Sequence, residues 1–158
     1  MSETASTGIF SGDQRAALSC VLDAVIPPSC DARFPGAGEL GLADAVAEAA
    51  RANPALRSVV EQGLAALDGL AHERGAECFA AASAALRAEL LQRVAALHSG
   101  FVSSLVFPLY TSYYRHPRVL EALGLEARPP FPKGHAMEPF DERLLDGVRR
   151  RPKIYRDC

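Results

Sequence analysis

The chain has 158 residues, 49% of them hydrophobic, and a formal net charge of −2. That length makes one ordinary domain, able to bury about two-thirds of the surface its unfolded chain exposes without a disulfide or metal staple. The small negative charge argues against bulk attraction to nucleic acid or to an anionic membrane.

Ser11 and Gln14 have capping-box spacing, which starts a first helix at Ser11. Leu18, Val21, Leu22 and Val25 fall on one face of it, and Pro27-Pro28 ends it, because proline disfavours helical geometry in the residue before it. Pro35, Gly36 and Gly38 make residues 29–39 a loop, and a short helix is predicted over about 40–51. Asn53-Pro54 pairs an N-cap residue with a proline at the first helical position. From there Leu56, Val60, Leu64, Leu67 and Leu70 form one stripe on a long helix that runs to near Gly75. A fourth helix is anchored by Phe79 and continues through Leu86, Leu90, Val94 and Leu97 at helical spacing. A fifth runs from about Gly100 to Tyr114 and is apolar on nearly every side, which predicts the central buried helix, kinked at Pro108. A short helical turn follows at Pro117–Leu123.

After Gly124 the character changes. Residues 1–127 carry 9 basic and 14 acidic groups, whereas residues 128–158 carry 8 basic and 5 acidic ones. Pro129, Pro130, Pro132 and Pro139 stand close together with Phe131 and Phe140 among them, the composition of an extended arm. A last helix over about 141–150 has Asp141 and Glu142 at its start and Arg149, Arg150 and Arg151 at its end, which suits the helix dipole. No stretch alternates like a half-buried strand. The predicted fold is all-α: a single bundle of about five to six helices over 1–127, then a proline-rich arm over 128–158 with a short C-terminal helix.

Few motifs carry chemistry. Gly36-Ala37-Gly38-Glu39-Leu40-Gly41 spells G-x-G-x-x-G, but a dinucleotide site needs a strand before it; here a helix and a proline loop come first, so it reads as a structural loop. His72, His98, His116 and His135 form no H-E-x-x-H or E-x-x-H, and the second absence argues against a di-iron carboxylate bundle. His72-Glu73 reads as a solvated pair, and His116 as a cap for carbonyls at a helix end. Cys20, Cys30, Cys78 and Cys158 have no metal-site spacing and read mainly as buried free thiols; a Cys20–Cys30 disulfide stays open if the protein is exported. No catalytic, cofactor-binding or metal-binding residue is assigned. Tyr110, Tyr113 and Tyr114 are candidate partner contacts, since tyrosine suits surfaces with one apolar and one wet side. Phe131, Phe140 and Tyr155 are candidate anchors in the arm, and Arg149 and Arg150 candidate contacts to an acidic surface.

The order of several segments resembles the gluconate 2-dehydrogenase subunit 3 family. Val25-Ile26-Pro27 closes a first helix; Pro35-Gly36-Ala37 and Gly41 follow; Gly63-Leu64 and Leu67-Asp68 lie in the long helix; Phe79 precedes Leu90-Leu91. Phe101 to Tyr114 resembles the family's aromatic helix, ending here in Thr111-Ser112-Tyr113-Tyr114. The resemblance spans about residues 9–127. It implies a non-catalytic small subunit that supports folding, flavin loading or export of a large FAD-bearing oxidoreductase of the glucose–methanol–choline type. That partner oxidises a sugar or sugar acid, often with a cytochrome subunit taking the electrons. No FAD is expected in this chain. Many members bear a twin-arginine leader; the first ten residues here hold neither twin arginine nor an apolar run, so the chain alone reads as cytoplasmic, and as periplasmic only if a leader was removed or a partner carries one. No segment reaches the ~20 apolar residues of a membrane span. Two other readings stand beside the subunit: a stand-alone helical enzyme or small-ligand binder, and a helical DNA-binding module, which the negative charge disfavours.

Overall fold

Local capping signals decide where the helices begin. In the computed structural model, which describes residues 8–128, 131, 134 and 137–152, helix α1 spans Gly12–Val25. The Ser11 hydroxyl accepts from the Gln14 amide at 3.2 Å while the Ser11 amide donates to Gln14 Oε1 at 2.9 Å, completing the predicted capping box. Helix α2 is Ala43–Ala52, shifted from the predicted 40–51 because residues 36–42 turn instead, with Leu42 N donating to Ala37 O and Gly41 at φ +68°. Asn53 caps α3, Pro54–Glu73, its Oδ1 accepting from the Ala55 and Leu56 amides. Helix α4 is Ala84–Leu97, capped by Ser83; α5 is Gly100–Tyr113 and runs unbroken through Pro108; α6 is Pro117–Ala122.

The chain divides into two units, residues 1–127 and 128–158. In the first, α3 is the central helix: it packs against α1, α2, α4 and α5. Val60, Leu64 and Leu67 of its stripe are fully buried, and Leu56 and Leu70 partly so. Around it the core gathers Leu18, Val21 and Leu22 of α1, Val46 of α2, Leu90 and Val94 of α4, and Phe101, Leu105 and Leu109 of α5. Among the described residues no charged side chain is buried there.

Three expectations are corrected. Phe79 lies before α4 rather than in it: its amide donates to Asp68 Oδ1 at 2.9 Å, and its ring is buried in the core from the connecting turn. Leu97, expected on the buried stripe of α4, is 68% exposed, because the chain turns by 109° between α4 and α5. Helix α5 is not the central buried helix; it buries one face and leaves the other bare.

The loop after α1 clasps the far end of α5 and α6. Arg33 Nε donates to Ala122 O at 2.8 Å, Arg118 pairs with Glu39 at 2.8 Å, and the Tyr113 hydroxyl donates to Pro35 O at 2.9 Å. The second unit holds a 3₁₀ turn at Glu142–Leu145 that runs into α7, Asp146–Arg149, where a single helix over 141–150 was predicted.

Candidate partner-docking face

Residues 101, 105, 109 and 113 recur every four positions on α5, so Phe101, Leu105, Leu109 and Tyr113 face the core. Four other large side chains of this helix and its C-cap turn outward. Phe107 is 80% exposed, Tyr114 51%, Val106 41% and Tyr110 40%. The Tyr110 and Tyr114 rings lie 5.9 Å apart, one turn along this outer face, and Tyr114 meets Tyr113 edge-on at 5.3 Å.

Beside this face lies a groove of about 680 Å³ between α2, the first turns of α3, and α5. Ala45 and Ala49 form the α2 wall, Leu56 and Val59 the α3 wall, and Phe107, Pro108 and Thr111 the α5 wall. Small side chains on one wall leave room for bulky ones from outside, and Phe107 stands at the rim. Pro108 has no amide hydrogen to give the Ser104 carbonyl one turn back, so the backbone is polar at that point of the groove.

Of the candidate contact residues, Tyr110 and Tyr114 are on the exposed face. Tyr113 is not: it is 3% exposed, and its hydroxyl is bound to Pro35. Burial, and then the neighbouring Tyr114, push its pKa above the ordinary tyrosine value. Above about pH 10 an unfolded tyrosine ionises while Tyr113 stays neutral, so its share of stability is intact below pH 10 and is lost as pH rises through the higher folded value. Tyr113→Phe is expected to cost about 1–2 kcal/mol at neutral pH, from the Pro35 carbonyl left without this donor. It is also expected to flatten the loss of stability above about pH 10, read as urea midpoints. An unchanged alkaline slope would place the Tyr113 hydroxyl in water.

In the arm, Phe131 is 84% and Phe140 64% exposed, and Arg149 and Arg150 are exposed. Tyr155 lies outside the described residues. The outer face of Phe107 and Val106 escaped the sequence reading, which took α5 as the central buried helix and placed only Tyr110, Tyr113 and Tyr114 of it at a partner surface; the spacing of 101, 105, 109 and 113 was the signal that could have separated the two faces.

Polar groups elsewhere do not converge. Among the described residues no group of three His, Cys, Asp or Glu side chains could hold a metal. His72 Nδ1 lies 2.7 Å from Asp68 O, one turn back on its own helix, rather than pairing with Glu73 in solvent. His116 does not cap the end of α5 with its side chain: its backbone carbonyl starts α6, accepting from Val119 and Leu120, and its Nδ1 has no partner. Cys20, Cys30 and Cys78 are free thiols; Cys30 is exposed, not buried as expected. In the glycine loop the Gly38 amide donates to Asp23 Oδ1 at 2.7 Å, and a Cβ on Gly36 or Gly38 would collide with the Asp23 carboxylate. A pyrophosphate there would meet a carboxylate and a spent amide, so the loop cannot cradle a dinucleotide.

The first unit is thus an all-α bundle whose distinctive surface is apolar and aromatic rather than a cluster of reacting groups. A family model described as gluconate 2-dehydrogenase subunit 3 matches residues 12–126. The chain belongs to that family, whose name is that of a subunit of a dehydrogenase complex. Neither a curated protein nor a solved structure matches the chain. No single described helix is long and apolar enough to cross a membrane.

Proposed function

We propose that this chain is a non-catalytic subunit that binds and stabilises an FAD-dependent dehydrogenase subunit of the glucose–methanol–choline type, which oxidises a sugar or related alcohol. Membership in a family named for a dehydrogenase subunit supports this reading. The observation that carries it is Phe107, 80% exposed at the lip of an apolar groove on a helix whose other face is core. A large aromatic held in water beside an unfilled apolar groove is the arrangement of an interface anchor. The chain supplies surface; flavin and substrate belong to the partner, and docking favours the flavin-loaded fold of that partner by mass action.

The groove volume also lies in the range of small-ligand pockets, about 300–1,000 Å³. Its openness to solvent and its scarcity of converging polar groups favour a protein side chain over a small molecule.

Co-expression with the large flavoprotein subunit tests the proposal. The expected result is a complex that survives size-exclusion chromatography, with more FAD bound per large subunit than when that subunit is expressed alone. A large subunit that loads flavin fully by itself, beside a small chain that elutes separately, would rule the proposal out.

A further inference from the structure

The face around α5 carries a knob and a hole side by side. Phe107 is the knob, 80% exposed at the rim. The groove of about 680 Å³ beside it is the hole, walled by Ala45 and Ala49 of α2 and by Leu56 and Val59 of α3. That volume lies in the range that admits a drug-sized molecule, so a phenylalanine ring enters with space to spare. Two of the polar side chains at its edge are already committed. Asn53 Oδ1 accepts from the Ala55 and Leu56 amides, and the Ser104 hydroxyl donates to Phe101 O at 2.9 Å. The groove therefore favours an apolar occupant, and the surface beside it offers one.

A knob and a hole set next to each other on one surface are exchanged by a two-fold axis that passes between them. Phe107 of one copy then enters the groove of another, and the reverse contact forms at the same time, which closes the assembly at two. Charge permits this pairing. Among helices α1 to α6 only α5 has no charged residue, and no residue lining the groove is charged. A charged face brought against its own copy sets like against like at a cost; this face has nothing to repel its copy. Phe107, Tyr110 and Tyr114 stand at i, i+3 and i+7, on one side of the helix. The two tyrosines lie outside the groove lining, so they flank the inserted ring with an apolar body and a polar tip toward water. An anionic bilayer is the poorer cover, because it attracts helices rich in Lys and Arg and α5 has neither.

We infer that, until the dehydrogenase subunit is present, two copies of this chain pair through this face, each seating Phe107 in the other's groove between α2, α3 and α5. The pairing covers an apolar patch that the single chain would hold in water. The dehydrogenase subunit takes the same face, so the pair separates before that subunit docks, and the two associations compete. The competition rests on the reading that this face docks the dehydrogenase subunit; the pairing does not.

Sedimentation equilibrium of the full chain tests the pairing. Wild type is expected to form a dimer with a dissociation constant on the order of 10–100 μM, the weak end for a specific interface. Phe107→Ala is expected to weaken it at least about 100-fold, because each dimer loses two buried rings. Ala49→Leu fills the groove and is expected to weaken the dimer as well, with Ala45→Leu as a second way of filling it. Helicity and Tm of each variant, measured at dilution, are expected to match wild type. A mixture of Phe107→Ala with Ala49→Leu is expected to associate more tightly than either variant alone, since one intact ring still meets one open groove. Adding the purified FAD-bearing large subunit is expected to draw wild type out of the pair into a complex with one copy per large subunit. A free chain that stays monomeric well above that concentration range overturns the inference and leaves the partner reading standing. So does a dimer that Phe107→Ala leaves intact, or a mixture no tighter than its parts. A large subunit that captures the pair whole overturns the competition. A chain that pairs but binds no large subunit overturns the partner reading and the competition with it.

Discussion

Phe101→Ala is expected to remove about 4 kcal/mol of stability and to lower Tm by roughly 8–16 °C. Phe101 is fully buried where α5 crosses α3, and its ring lies directly against Gly63: a Cβ added to Gly63 would fall within 2.4 Å of three atoms of that ring. Losing a buried phenylalanine costs about 3–5 kcal/mol, the larger values arising where the walls cannot close in. Here one wall is the bare backbone of a helix that packs on four neighbours, so the cavity stays open. The mirror-image change is milder. Gly63→Ala gains about 1 kcal/mol of helix propensity but overpacks the ring by about 1–3 kcal/mol, for a net loss of roughly 0–2. Combining Gly63→Ala with Phe101→Leu should cost less than the two single changes together, because the smaller side chain vacates the space the new methyl needs. Urea unfolding of the four proteins measures all of this. A Phe101→Ala protein within about 1 kcal/mol of wild type would mean that α5 does not seat on α3 at Gly63.

What the sequence could reveal divides along the range of the interactions. The starts of α1 and α3 were legible because their signals are local: Ser11 with Gln14, and Asn53 with Pro54, act within four residues. The stripe of α3 was legible because Val60, Leu64 and Leu67 recur at helical spacing between polar residues. Helix α5 was misjudged because apolar residues surround it, which leaves no polar face to mark the outside; only its packing against α2, α3 and α4 decides that Leu105 is buried and Phe107 is not. Gly63 as the seat of Phe101, and Gly38 as the partner of Asp23, were invisible for the same reason: each meaning lies in a residue far along the chain. The candidate face was half legible. Tyr110 and Tyr114 stood out as amphipathic aromatics, whereas Tyr113 carries the same composition and is taken into the core by the Pro35 carbonyl. The groove belongs to three helices at once, so no single stretch of sequence contains it.

Phe107→Asp is expected to weaken binding to the dehydrogenase subunit by about 100-fold or more while changing the stability of the free chain by only about 0.5 kcal/mol. The second half follows from exposure: at 80% accessible the ring makes few contacts to lose, and surface changes of this kind fall within about ±0.5 kcal/mol. The first half follows from what a partner must cover. Burying a phenylalanine side chain is worth about 1.5–3 kcal/mol, and the aspartate adds the cost of a carboxylate taken from water without a counter-ion, so a total near 3 kcal/mol is a conservative sum. Phe107→Leu should retain most of the affinity, because the groove beside it is lined by aliphatic carbon and asks for shape and apolarity more than for an aromatic ring. Leu97 supplies the control: it is 68% exposed, but on α4 and away from the groove lining, so Leu97→Asp should leave binding within about threefold of wild type if the docking face is local to α5. Equal losses from Phe107→Asp and Leu97→Asp would show a response to surface hydrophobicity in general. No loss from Phe107→Asp would move the interface off this helix, because a partner seated on the groove cannot leave residue 107 in water.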